Sequence, residues 1–196
     1  MGIWHYDTGM GSCDYLCVPP CTSLAHVVSE IWCQYADSSP AAKGVITRVL
    51  PSGVAEITFS FGDPFLEVTD RSETPLHWAS INGQKTTLKR YRATGATGLV
   101  IVRLFPWGLG ALRLPPAAAF SNLNVDAEAV WPAIALNHLQ DRLCGARSIS
   151  EQVDAVQAFL REAIANTHPR GIRWLYMPSV SFSGPEILVE FRMGLG

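Results

Sequence analysis

Apolar and polar residues alternate most regularly near the middle of the chain. Ala55, Ile57, Phe59 and Phe61 interleave with Glu56, Thr58 and Ser60, the period of two that marks a half-buried strand. Leu50-Pro51-Ser52-Gly53 reads as the turn before it, and Gly62-Asp63-Pro64 ends it. Shorter strands are expected over 65–68, 76–81 and 86–91, with Asn82-Gly83 as a hairpin turn because both residues tolerate positive φ. A further strand runs 99–105 and stops at Pro106. Upstream, Leu24, Val27, Val28, Ile31 and Trp32 begin with helical spacing and continue in a way that also suits a strand.

The period changes after Pro115-Pro116. Val130, Ile134, Leu136, Leu139 and Leu143 form one apolar stripe ending at Gly145. Ser148 and Glu151 have capping-box spacing for a second helix, whose stripe is Ile149, Val153, Val156, Leu160 and Ile164. The chain therefore divides into an irregular, Gly/Pro/Cys-rich arm (1–21), a β domain (22–116), a helical pair (117–166) and an atypical strand-like tail (167–196). The class is α+β: a β-barrel or sandwich followed by two amphipathic helices.

The 196 residues are enough for an ordinary core, and 15 basic against 17 acidic side chains leave a net charge of −2. That balance argues against a polybasic nucleic-acid binder. At 16% the charged fraction lies below the usual quarter or so, which hints at a covered partner surface. The longest apolar run, 99–104, is broken by Arg103 and falls short of a membrane span. His5 and Asp7 stand where a secretory signal would carry basic and then long apolar segments, and an odd count of five cysteines suits reduced thiols, so a cytoplasmic setting is expected.

Chemistry-bearing motifs are sparse. The five histidines form no His-x-His or His-x-x-x-His pair, and Cys13, Cys17 and Cys21 lack a Cys-x-x-Cys knuckle. No metal and no cofactor is expected. No nucleophile elbow, P-loop or dinucleotide fingerprint occurs. Lys85, Lys89, Arg90 and Arg92 read as a solvated strand face, and Asp126 with Glu128 as negative charge at a helix start. One residue stands out. Arg103 alternates onto the same strand face as Leu99, Ile101 and Phe105, so it must find a partner, coat a cavity or sit at the rim of a filled core. Trp32, Phe59 and Trp107 are candidate walls of a small-ligand pocket in which Arg103 would hold an anionic group.

The ordered series Pro20, Leu24, Val28, Trp32, then Leu50-Pro51-Ser52-Gly53, Phe59-Ser60-Phe61-Gly62 and Val102-Arg103-Leu104-Phe105-Pro106-Trp107-Gly108-Leu109, followed by two helices, resembles the N-terminal domain of one branch of AraC-type bacterial transcription regulators. The likeness covers about residues 15–165. It implies a cupin-like β domain, a non-enzymatic ligand-sensing role, a small-molecule effector and a homodimer formed through the helical stripes. Two departures stand against the pattern. Leu104-Phe105-Pro106-Trp107-Gly108 replaces the family's usual Phe-Arg-Pro-Gly-Gly turn, and 166–196 lack the period and basic character of the helix-turn-helix units that follow in such regulators. The resemblance thus implies a sensor whose DNA reader is missing from this sequence. A small-metabolite enzyme on a cupin-like fold, or an interaction module with a filled barrel, are the alternatives.

Overall fold

Strand pairing sorts the chain into two sheets. The computed structural model describes residues 2–7, 12–36 and 46–165. In chain order the strands are β1 (Gly2–Asp7), β2 (Ser12–Val18), β3 (Val28–Ala36), β4 (Ile46–Val49), β5 (Glu56–Gly62), β6 (Phe65–Val68), β7 (Glu73–Pro75), β8 (Ala79–Asn82), β9 (Lys89–Ala93), β10 (Thr97–Leu104) and β11 (Asn124–Asp126). Seven of them form a large antiparallel sheet in the order β1-β2-β3-β10-β5-β8-β11, and four form a small one, β4-β9-β6-β7. A short helix α1 (Gly108–Ala111) follows β10, and α2 (Ala133–Gly145) and α3 (Ile149–Ala165) end the described chain. Among the described residues, no helix is long and apolar enough to cross a membrane.

The expected cupin-like barrel does not form. Each sheet is open, and no strand of one sheet is a ladder partner of a strand in the other. Among the described residues, the isolated bridge Ser52–Lys85 stands outside the named strands. Closure of a barrel needs matched strand lengths, tilt and shear. Here the edges of the small sheet are the four-residue β4 and the three-residue β7, which ends in Pro75, a residue with no N–H to donate. The chain instead crosses back and forth between sheets after β3, so the two face each other across a cleft.

Three local expectations change with this topology. The arm expected to be irregular contributes β1 and β2, which extend the large sheet by pairing in series with β3. Asn82-Gly83 is not a hairpin turn, since β8 and β9 belong to different sheets. Gly83 is required by close approach instead: a Cβ there would lie 1.9 Å from the Phe120 carbonyl oxygen. β4 and β7, too short to show a period, are additions. The strand expected over 65–68 is β6, and the helices end and begin near Gly145 and Ser148 as anticipated. The α3 start is capped: Ser148 Oγ accepts from the Glu151 N–H, and the Glu151 carboxylate accepts from the Arg147 N–H. The tail expected over 167–196 lies outside the described residues.

Register across the large sheet explains where its core sits. On one face, Ile31, Val102, Ile57 and Ile81 align in a row, and Cys33, Val100, Phe59 and Ala79 in the next. All eight are buried. They meet Leu136, Leu139 and Leu143 of α2 and Val153, Val156 and Leu160 of α3 in one cluster. The helical stripes are therefore turned onto the chain's own sheet, and Ile134 is the large apolar residue that α2 leaves exposed. Two polar contacts key α3 in place: Tyr35 O–H donates to Gln152 Oε1, and Gln157 Oε1 accepts the Cys21 N–H at 2.6 Å.

Candidate functional site

The opposite face of the same sheet is polar. Its rows read Glu30, Arg103, Glu56, Asn82 and Asn124, then Trp32, Ile101, Thr58 and Ser80, then Gln34, Leu99 and Ser60. In a stacked pair of sheets, the inner faces ordinarily interdigitate apolar side chains into the core. Here they bound a cavity of about 1070 Å³. The small sheet closes the far side with Phe65, Tyr91 and a continuous stretch, 46–52, that runs along the rim.

An ion-pair cluster occupies one end. Arg103 Nε donates to Glu56 Oε1 at 3.0 Å and Nη1 to Glu30 Oε1 at 2.9 Å, while Lys85 Nζ reaches Glu56 Oε2 at 2.7 Å. Two cations thus meet two carboxylates. Lys85 and Glu56 are nearly sealed from solvent, at 7% and 11% side-chain exposure, whereas Arg103 and Glu30 are about one-third exposed. The Arg103 guanidinium also lies 5.4 Å from the Trp32 ring centroid, within cation–π range. Local structure sets these positions. A register shift after Arg103 leaves Ser29 as an extra residue on β3, and its hydroxyl donates to the Arg103 carbonyl. Lys85 is fixed by two backbone hydrogen bonds to Ser52. Burial pushes the Glu30 carboxyl up, but the hydrogen bonds and charge around it, chiefly those of Arg103, outweigh it and hold the group below the usual glutamate range. The Cys17 thiol donates to the second Glu30 oxygen and is pushed up by burial and by that carboxylate.

The floor beyond the cluster is a chain of amides and hydroxyls. Asn82 Nδ2 donates to Thr58 Oγ1 and Ser80 Oγ, Asn124 Nδ2 donates to Asn82 Oδ1, and Ser60 Oγ donates to the Trp78 carbonyl. At the mouth, His77 Nδ1 lies 3.1 Å from Asp126 Oδ2. Asp126 also accepts the Glu128 N–H at the start of a 3-10 turn.

Of the four residues singled out in the sequence, Trp32 and Arg103 line this cleft. Phe59 does not: it is on the apolar face, edge-to-face with Phe159 of α3. Trp107 is also elsewhere, 61% exposed, stacked on Phe105 at 5.0 Å, its indole N–H donating to the His26 carbonyl. Leu99 and Ile101 share the face of Arg103, while Phe105 lies beyond the end of β10. The basic residues of β9 and its approach each have a carboxylate partner: Lys85 with Glu56, Lys89 with Glu67, Arg90 with Asp70 and Arg92 with Glu73. Cys13 and Cys17 lie on β2 and Cys21 beyond it, so their spacing of four does not fall on a helix. Among the described residues, no three His, Cys, Asp or Glu side chains converge as metal ligands.

Glu30, Gln34 and Glu56 were not singled out by the sequence, and Lys85, read with the basic cluster as part of a solvated strand face, is instead buried against Glu56. Glu56 looked like the solvent side of an alternating strand, and nothing in a single strand's period distinguishes bulk water from a polar cleft.

Residues 17–126 match a family model described as a domain of unknown function, DUF6597. The chain belongs to that family. The matched segment of this DUF6597 chain contains every residue that lines the cleft, from Trp32 to Asn124, and ends before α2. No curated protein matches the sequence. A crystal structure of the AraC-like transcriptional activator CuxR is similar at a TM-score of 0.39 and 13% identity, over 85% of this chain and 62% of that one. The chain thus spans less than two thirds of that protein, and at such a score the site must be read from the DUF6597 chain's own geometry.

Proposed function

We propose that the chain is a non-catalytic, small-molecule-sensing module of a transcription regulator of the AraC type. The observation that carries this reading is the cleft. A buried polar sheet face is costly unless its groups are satisfied, and the space of about 1070 Å³ beside it is ample for a small effector. The ordered sequence resemblance to AraC-type sensor domains supports the regulatory half of the reading. In this reading the sensing module itself is not the DNA-contacting part, since a net charge of −2 does not favour a duplex. The homodimer expected from sequence stays part of the proposal, with the exposed Ile134 on α2 as its apolar contact.

A thermal-shift screen of the full chain against a metabolite library tests the sensing role. A ligand at about a hundredfold over its Kd stabilises by about 2.7 kcal/mol, which for a protein of this size raises Tm by several degrees. The Thr58→Phe variant, which places a ring on the cleft floor, should lose that shift. Stabilisation by no compound, or hits indifferent to Thr58→Phe, would contradict the reading. One observation favours an enzyme acting on a small metabolite instead: a histidine oriented by a carboxylate at a cleft mouth, as in His77–Asp126, is a general-base arrangement. Turnover of a hit compound, abolished by His77→Ala without loss of binding, would establish that alternative.

A further inference from the structure

The polar side chains around the cleft divide by whether the protein already satisfies them. The ionised groups of the floor are paired among themselves, Arg103 and Lys85 with Glu56 and Glu30. The floor hydroxyls and the Asn82 and Asn124 amides are closed into their own network. Two β3 side chains facing the cleft stand apart. Among the described residues, the Trp32 indole N–H is buried without a hydrogen-bond partner, and Gln34, only 8% exposed, has no hydrogen bond to its amide. From the small sheet, Tyr91 lines the same cavity, and its hydroxyl likewise has no hydrogen-bond partner among the described residues. Burial, with the Glu67 and Glu56 carboxylates, pushes that phenol well up, so it stays a neutral O–H.

The Gln34 amide is not sealed in the core but opens on the cavity wall, where an incoming molecule could meet both its donor and its acceptor. We propose that the cleft selects an uncharged ligand carrying an amide, or neighbouring hydroxyl and carbonyl groups, that pairs with Gln34 and Tyr91, and that it discriminates against carboxylates and phosphates. This rests on the cleft being a ligand chamber, as argued above. The charge pattern gives the negative half of the inference. Arg103 faces the cleft as the obvious anion anchor, yet Glu30 and Glu56 already neutralise it through Nη1 and Nε, so an anion reaching its remaining N–H groups would have to lie beside two carboxylates. Arg48 has no carboxylate partner among the described residues, but it is one residue out of phase with the Thr47–Tyr91 pair, opposite Arg90, and exposed at the rim.

Matched probes separate the two halves. The full chain, labelled for NMR, is titrated with benzamide and benzoate, indole-3-acetamide and indole-3-acetate, and inositol and inositol monophosphate. A neutral member should shift the Gln34 side-chain amide resonances saturably and bind at least about tenfold more tightly than its anionic mate. Gln34→Leu should abolish that preference, and Tyr91→Phe should weaken it. An anion that binds as tightly as its neutral mate, or more tightly with loss in Arg48→Gln, would overturn this inference while leaving the chamber intact. Neutral binding untouched by Gln34→Leu and Tyr91→Phe together would overturn it too. If no member of any pair moves a cleft resonance, the chamber reading falls along with it.

Discussion

The two faces of the large sheet are built from the same strands and differ in almost every other respect. Ile57 and Thr58 are neighbours on β5, as are Val100 and Ile101 on β10, yet one of each pair enters the helix-backed core and the other a cavity. The helix-backed face gains from burial at about 25 cal/mol per Å² of apolar area removed from water. The cleft face has no such gain at Thr58, Ser60, Ser80 and Asn82, and it keeps a charge-balanced cluster where a hydrophobic layer of equal volume would often be as stable or more so. Stability therefore comes from one face, and the other is free to carry recognition chemistry.

Substitutions can break that contrast. The largest loss is expected for Phe59→Ala on the core face, about 3–5 kcal/mol, because transfer and cavity terms add. Leu99→Ala on the cleft face should lose only about 1 kcal/mol, since a side chain beside an existing cavity leaves no new sealed void. Urea unfolding of the two variants measures the difference, and equal losses would mean that both faces are core. Next in size is Glu56→Ala, which leaves Lys85 buried without its counter-charge and should cost about 3 kcal/mol. Replacing both, as Glu56→Met with Lys85→Met, should recover part of that loss. A double variant no better than the single one would show that the pair contributes net stability rather than mutual compensation.

A smaller effect is expected from pH. Glu30 is more acidic folded than it would be unfolded. Its contribution is therefore complete above the ordinary glutamate value of roughly 4.3 and is lost as pH falls through the lower folded value. The Tm gap between the native chain and Glu30→Gln should be constant near neutrality and close on acidification. A gap that widens below that value would reverse the sign of the Arg103–Glu30 interaction.

How much of this was legible in the sequence depends on what each signal could carry. The alternation through 55–61 placed Ile57 and Phe59 on a buried face, because a period of two needs no partner to be read. It could not say what covers Glu56, Thr58 and Ser60, because water and a polar cleft select the same residues. Alternation also put Leu99, Ile101 and Arg103 together, but the carboxylates that neutralise Arg103 come from β3 and β5, 73 and 47 residues away in sequence. The barrel was inferred from many short strands with tight turns, a pattern that two open sheets produce equally well. Asn82-Gly83 misled for a related reason: glycine serves a turn or a close approach, and only the position of Phe120 decides.

The central claim is that the cleft face holds groups for recognition at the expense of stability, and Gln34 states it most sharply. The direct measurement is the unfolding free energy of Gln34→Leu against the native chain, by urea denaturation without ligand. A leucine at this position gives up no hydrogen bond to the described residues and adds apolar burial, so the variant should be at least as stable as the native protein. A loss of about 1–3 kcal/mol, the size expected when a satisfied buried hydrogen bond is removed, would make Gln34 a structural residue and contradict the account.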